Sequence, residues 1–585
     1  MAQNVEVWPQ APFGSPAADV KYRFVWTFPL TVSPHDHNRV YVGSQYVHET
    51  TDGGNTWKVI SPDLTLNDKS RQQISGGLTP DNIGVEYAGV VFAIAESPLK
   101  AGLIWAGTND GQLQLTQDGG AHWTNVTANV PGLPAWFTVS SIEPSRYDTA
   151  TAYLAVDGHQ MNNRDPWIYK TTDYGKTWKP IVGGIPKSPL GYAHIVKEDP
   201  VRHGLLYAGT ENGLYVSFND GELWQPLQNN LPHAPVYGIA IQERFNDLVV
   251  ATYGRGFWIL DDVTPLRQLT AETMGKDAAL LLPRSGYRFR GVEGPFAVPV
   301  DATAGFNPPY GADLHYWLKA AGKDTTKDSV TVTVADQSGK TVRTFKGPMK
   351  AGLNRVWWDL NYEQTKEARL RTPPLYADYV KVGPEGMPAP GVGRGAILAP
   401  PGTYTVKVKV GDQEYSQALT VLKDPASGGS EDAIRTQTTL LADMFDDINQ
   451  TVDAINTAEM ARGQLATLKA FLASDSTTAD VRALADSLNK KFVALEENLF
   501  QMRVTGRGQD VLRWPMKLAE QLLYLGGEIG GSDFAPTTPQ REVHQVLHDQ
   551  VAAYKGQLNQ LVSQDLAAFN RTLQQRNLQG VVAKD

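Results

Sequence analysis

Four carboxylates carry most of the chemical promise in this chain. Asp110, Asp157, Asp165 and Glu211 all fall in short polar stretches between apolar runs. Two such groups, one protonated and one ionised, can cleave a glycosidic bond with inversion when they stand about 6.5 to 9.5 Å apart, a gap that leaves room for water. Beside them are groups suited to binding. The stretch 157–166, DGHQMNNRDP, adds His159, Arg164, two Asn and Gln160 to its two acids, and Trp167 follows directly. That is more polar chemistry than a hairpin needs, and long polar loops often carry function. Arg255, a further candidate for binding, sits in the turn Tyr253-Gly254-Arg255-Gly256, which otherwise reads as a plain hairpin, and Trp136 borders another loop on the same side. A plainer reading stays open for part of the set. Asn109-Asp110-Gly111 and Glu211-Asn212-Gly213 have the residues of type I′ turns, in which Asp and Asn serve the backbone. The link 61–84 mixes Asp63, Asp68 and Asp81 with Lys69 and Arg71 without ligand-like spacing, and reads as a solvated connection.

What must position these residues is a repeat. Nearly the same octet occurs four times: TTDGGNTW at 50–57, TQDGGAHW at 116–123, TTDYGKTW at 171–178 and SFNDGELW at 217–224. Each reads as a tight corner. Asp52, Asp118, Asp173 or Asn219 can accept hydrogen bonds from turn amides, and Gly54, Gly120, Gly175 or Gly221 can take positive φ. Trp57, Trp123, Trp178 or Trp224 covers the corner with a large apolar surface. The four Trp are 66, 55 and 46 residues apart, about the length of one four-stranded sheet. The spacing therefore predicts a β-propeller. Between corners the pattern is strand, hairpin, strand, corner, strand: VVFAIAES, LIWAGT, LQLTQD and WTNVT in the second unit, AHIVKEDP, LLYAGT, LYVSFND and WQPL in the fourth. A fifth unit without an octet follows, VYGIAIQE, DLVVATYG and GFWILDD, with AALLLPR expected to close it. The hairpins that hold Asp110, Asp157, Glu211 and Arg255 would open on the channel face, and the octet corners on the opposite rim.

The octet S/T-x-D-x-G-x-T-W resembles the Asp-box, or BNR, repeat of sialidases, xyloglucanase-type hydrolases and the sortilin ectodomain. His122 and Leu223 at the Thr position, and Asn219 at the Asp position, depart from it. The wider sequence is similar to a bacterial family of sortilin-like or "glycosyl hydrolase" BNR proteins in KYRFVW, SPDLTLND, GVEYAG, LLYAGTENGLYVSFNDG and VVATYGRGFWILDD, over roughly residues 15 to 580. The resemblance implies a propeller whose Asp boxes shape corners and do no chemistry. It also implies a periplasmic or secreted location, and, since longer relatives carry a further propeller segment upstream, a second copy or an upstream propeller fragment as partner. A sialidase site is not expected. Arg23 in KYRFVW resembles the first of that family's three carboxylate-binding arginines, but no Ile-Pro follows it, and no spacing recruits Arg164 or Arg255.

Composition narrows the classes further. The 585-residue chain has a net charge of −9 and no cysteine. It therefore lacks the basic face that a nucleic-acid binder needs, as well as disulfides, thiolate metal sites and cysteine nucleophiles. No apolar run reaches the length of a membrane span. The opening MAQNVEVWPQ has no basic and apolar leader pattern, so no signal peptide is expected in the chain as given. G-x-S-x-G, H-E-x-x-H and P-loop motifs are absent, and His48-Glu49 has no second His at the required spacing, so no cofactor or metal site is expected.

The organisation expected is mainly β with an α C-terminus. An Asp-box propeller of about five blades fills 1–285 and an Ig-like β-sandwich 286–425, entered through the Pro/Gly-rich stretch 283–309 and interrupted by the excursion 373–401. In the sandwich, Val330, Val332 and Val334 alternate, as do Tyr404, Val406, Val408 and Val410. A helical bundle fills 430–585. Leu441, Met444, Ile448, Val452 and Ile455 follow helical spacing, as do Val543, Leu547, Val551, Tyr554, Leu558 and Leu561, with helices at 481–504 and 511–525 between. Most Trp, including Trp258, Trp357 and Trp358, read as packing. Abundant scaffold with little catalytic signal points to a binding or assembly module for a protein or glycan ligand, the alternative being a glycoside hydrolase acting on a polysaccharide.

Overall fold

The computed structural model describes residues 3–290, 305, 307–323, 328–506 and 508–583. Contacts divide it into two compact units, Met1–Thr273 and Met274–Asp585.

The first unit is a β-propeller of five antiparallel blades. Four are four-stranded meanders, and the fifth has three strands, Val236–Gln242, Asp247–Thr252 and Phe257–Leu260. Second strands such as Ile104–Thr108 and Leu206–Thr210 are buried at every residue, because neighbouring blades cover both faces of each sheet. That is why they read as unbroken apolar runs.

The octets form the corners between third and fourth strands. In the third blade the Thr171 hydroxyl accepts the buried Gly175 N–H at 3.0 Å and donates to Asp173 Oδ1 at 2.8 Å. Asp173 in turn accepts the exposed Thr177 N–H at 2.9 Å. The departures are absorbed locally. His122 places Nδ1 2.7 Å from Asp118 Oδ2, where a Thr hydroxyl stands in the first and third corners. Leu223 has no hydroxyl, and the single oxygen of Asn219 suffices for its amide at 3.0 Å. The corner Trp also join blades. Trp123 Nε1 donates to Ile60 O at 2.9 Å and Trp224 Nε1 to Ile181 O at 2.7 Å, each reaching the blade before its own. Trp178 packs edge-on against Trp105 at 5.8 Å. Gly120, at φ 95°, is required by this approach, since a Cβ there would run into the Ile60 carbonyl.

Trp57 belongs to the first blade, and among the described residues no blade packs against its side of that sheet. Residues 5–28 lie over that face instead, leaving a cavity of about 550 Å³ lined by Val5, Trp8, Tyr22, Phe24, Leu30 and Trp57, among others. At the other end, no described residue covers the outer face of the fifth blade, with Phe257 78% and Ile259 59% exposed. AALLLPR does not close this blade. Ala278–Leu280 pairs with Ala312–Leu318 in the second unit, because its hydrogen bonds go to the sandwich.

In the second unit, a three-stranded sheet of Ala278–Leu280, Ala312–Leu318 and Gly352–Trp358 packs on a five-stranded one. Leu314, Tyr316 and Trp358 from the first meet Val332, Val334, Val406 and Leu419 from the second. The stretch 283–309 lies partly outside the described residues. Its opening contains the strand Gly286–Arg288, which runs parallel to the last strand of the sheet, Gln413–Lys423. The excursion 373–401 is not a loose loop. Ala389, Val392 and Ile397 enter the helical core.

The helix Glu431–Phe471, capped by Ser430, is the spine of that core. Ala479–Leu499, Leu518–Gly530 and Thr538–Gln560 pack on it. The second and third helices are shorter than expected, the intervening chain carrying Gly506 and Pro515, residues that end helices. Among the described residues, no helix is long and apolar enough to cross a membrane.

Candidate functional site

The innermost strand of four blades carries a bulge near its channel end. Phe92, Ser140, His194 and Tyr237 are the extra residues, each skipped by the pairing of its neighbours. Bulges re-aim side chains, and the last two meet. The rings of His194 and Tyr237 stack at 4.0 Å and 19°.

Two of the predicted carboxylates converge on this His. Asp157 ends the second strand of the third blade, and Glu211 follows the second strand of the fourth. His194 Nε2 lies 2.9 Å from Glu211 Oε2, and its Nδ1 lies 3.5 Å from Asp157 Oδ2. His159 closes the other side of Asp157, donating its backbone N–H at 2.9 Å and placing Nδ1 at 2.7 Å. Tyr192 stacks on His159 at 5.1 Å and stands edge-on to His194 at 5.2 Å. Beyond Tyr237, Tyr253 extends the row at 6.0 Å. These two outer rings are 52% and 76% exposed, whereas His194 is buried. The result is a row of aromatic rings running from solvent to a buried imidazole, flanked by two carboxylates.

The electrostatics favour an ionised Asp157. Burial works to raise the Asp157 carboxyl, but the hydrogen bonds from His194 and from the His159 amide and ring outweigh it and hold the group below its ordinary value. Burial raises Tyr192, with Glu211 and Asp157 adding to it. Tyr237 is pushed up to about 12 by burial and by the same two charges, so both phenols stay protonated near neutrality.

The other predicted residues lie apart from this cluster. Asp110 is buried and accepts from the Thr108 hydroxyl and, at 2.9 Å, from the Leu66 N–H; burial raises its carboxyl. It serves the link 61–84, as its turn-like setting allowed. Asp165 pairs with the exposed Lys187 at 2.7 Å. Arg164 donates to Asn162 within its own loop at 3.0 Å, and Arg255 to the Gly254 carbonyl at 3.0 Å. Trp167 packs edge-on against Phe137 at 5.8 Å and donates to Asn163 at 3.1 Å, which makes it part of the blade core. Trp136 stands under the Arg71 guanidinium at 4.7 Å.

Sequence reasoning missed Tyr192, His194 and Tyr237. The available signal was polar or aromatic residues at the first positions of otherwise apolar innermost strands, GYAHIV and PVYGIAI.

No family model and no curated protein matches the chain. Among solved structures it is similar to the GH74 xyloglucanase from Xanthomonas campestris, 18% identical over 44% of this chain and 40% of that one, TM-score 0.31. It is also similar to the GH74 enzyme of Niastella koreensis, 15% identical over 40% and 29%, TM-score 0.27. A third similarity is to YCF48 from Cyanidioschyzon merolae, 16% identical over 48% and 93%, TM-score 0.24. The chain thus spans less than half the length of either GH74 enzyme.

Proposed function

We propose that this chain is an extracytoplasmic binding module whose channel-side cluster takes a glycan. The observation that carries the reading is the exposed pair Tyr237 and Tyr253 leading to Asp157, His194 and Glu211. Flat aromatic faces offer apolar surface at low entropic cost, and the carboxylates offer acceptors for hydroxyl donors. A pocket of apolar rings with a few convergent polar groups is the usual form of a small-ligand site.

The alternative, a glycoside hydrolase, is favoured by the convergence of Asp157 and Glu211. Two features weigh against it. The His194 ring stands between the carboxylates, where the scissile bond would have to lie, and Asp110, the one of the four candidate carboxyls that burial raises, serves another part of the blade. A polysaccharide panel tests both readings. Binding without cleavage is expected, with affinity about tenfold or more lower in Tyr237→Ala and Tyr253→Ala at unchanged melting temperature. Reproducible cleavage, abolished by Asp157→Asn or Glu211→Gln, would establish the hydrolase instead.

A further inference from the structure

In the helical bundle a buried carboxylate lacks a fixed counter-charge. Asp447, on the helix Glu431–Phe471, has only 2% of its side chain exposed, and among the described residues no Lys or Arg pairs with it. Its oxygens face two imidazoles. His544 Nε2 lies 3.0 Å from Oδ2, and His548 Nδ1 lies 2.9 Å from Oδ1. Both His belong to the helix Thr538–Gln560, four residues apart and so on one face. Two neutral imidazoles can donate hydrogen bonds to the carboxylate but leave its charge in place, and a buried uncompensated charge is costly.

The surroundings deepen the deficit. Asp443 lies one turn before Asp447 on the long helix, and Asp549 follows His548. The site therefore attracts cations.

We propose that Asp447, His544 and His548 bind one divalent transition-metal ion of the zinc type, joining the two longest helices of the bundle. The three donor atoms already lie within 4.8 Å of one another. Metal–ligand distances of about 2.0 to 2.1 Å in a tetrahedron set donor separations of ~3.3 Å, so each hydrogen-bonded Asp–His pair, at 3.0 and 2.9 Å, needs to open by only a few tenths of an ångström. Two imidazoles and one carboxylate, without a thiolate, suit zinc, nickel or cobalt; calcium and magnesium prefer oxygen throughout. His548 is 53% exposed at its side chain, which gives the ion a path in and leaves a fourth position open to water. Each imidazole would bind through the nitrogen that now faces Asp447. Its proton must then sit on the other ring nitrogen.

The experiment uses the full chain, stripped with chelator and titrated with Co²⁺ and then Zn²⁺. One Co²⁺ per chain is expected, with the visible absorption of a four-coordinate ion, displacement by Zn²⁺ and a rise in melting temperature. His548→Gln changes a half-exposed residue and should fold. It should weaken binding by about tenfold or more, as should Asp447→Asn. Absence of uptake by the wild-type chain, or uptake undiminished in His548→Gln, would overturn the site and leave a carboxylate held by hydrogen bonds alone.

Discussion

The Thr171 hydroxyl does more for its corner than the Asp173 carboxylate. It satisfies the buried Gly175 amide, whereas the amide and hydroxyl that Asp173 receives from Thr177 are exposed to water, which can replace the carboxylate. Leaving a buried donor unsatisfied costs about 1 to 3 kcal/mol. Thr171→Val should therefore destabilise by that amount. Asp173→Ala should cost less, about 0.5 to 1.5 kcal/mol, the net worth of an ordinary hydrogen bond. Urea unfolding of the two variants checks the order, and a larger loss in Asp173→Ala would show that the acid is the key acceptor. Ligand binding should be untouched in both, because the corners lie on the rim opposite the cluster. The same distinction explains what could be read of the site. Asp157, His159 and Glu211 stood out because their turns hold more polar groups than a hairpin needs or sit at repeated positions. His194 and Tyr237 were hidden because a bulge shifts the side-chain alternation on which a strand reading depends. Arg164, Asp165 and Arg255 were legible as polar loop residues, but composition does not say that each finds a partner within or beside its own loop.

Helix periodicity and strand alternation exposed most of the elements, and the misreadings have local causes. The helix Thr538–Gln560 was expected to bury Val543, which is 48% exposed, while His544 takes the inward place. The long-range contact of His544 with Asp447 overrides the apolar spacing. AALLLPR reads as a strand and is one, but alternation cannot name the sheet it joins. Elements also meet through charges that no periodicity reveals. Arg462 on the long helix lies between Glu459 and Glu496, with Glu496 Oε2 at 2.6 Å. One cation thus serves two buried acids. Burial, reinforced by the charge of Glu459, pushes Glu496 well above the usual carboxyl range. Its folded-state pKa exceeds its unfolded one, so across that window the folded chain holds a proton that the unfolded chain has lost. The contribution of Glu496 to stability is full at acid pH and declines as pH rises toward the folded value. Glu496→Gln keeps a donor at the site and has no proton to lose. Its stability relative to wild type, from denaturation at pH 5 and pH 8, should be higher at pH 8. Equal differences at the two pH values would rule out Glu496 as the titrating group.

At the scale of the whole propeller, one sheet face lacks a neighbour among the described residues. Each blade is stabilised by packing on the next, and the corner Trp reach backward to the preceding one. The first blade replaces its missing predecessor with residues 5–28, which cover it incompletely over the apolar cavity. The fifth blade presents Ala240, Val249 and Ile259 in one cross-strand row and Gly238, Ala251 and Phe257 in the next, on the face opposite to that packed against the fourth blade. Contiguous apolar surface of this kind marks an association site. A blade face fits best against another blade, so we propose that two copies of the chain associate through it, an upstream propeller fragment being the other candidate. Sedimentation across a concentration range should show self-association that Phe257→Lys with Ile259→Lys weakens. Both side chains are exposed, so melting should hardly change, substitutions at such positions usually costing less than about 0.5 kcal/mol each. A monomer at every concentration would exclude the second copy as partner. In that case the same double variant, tested against a separately produced propeller fragment, decides whether the free face receives a blade from another chain.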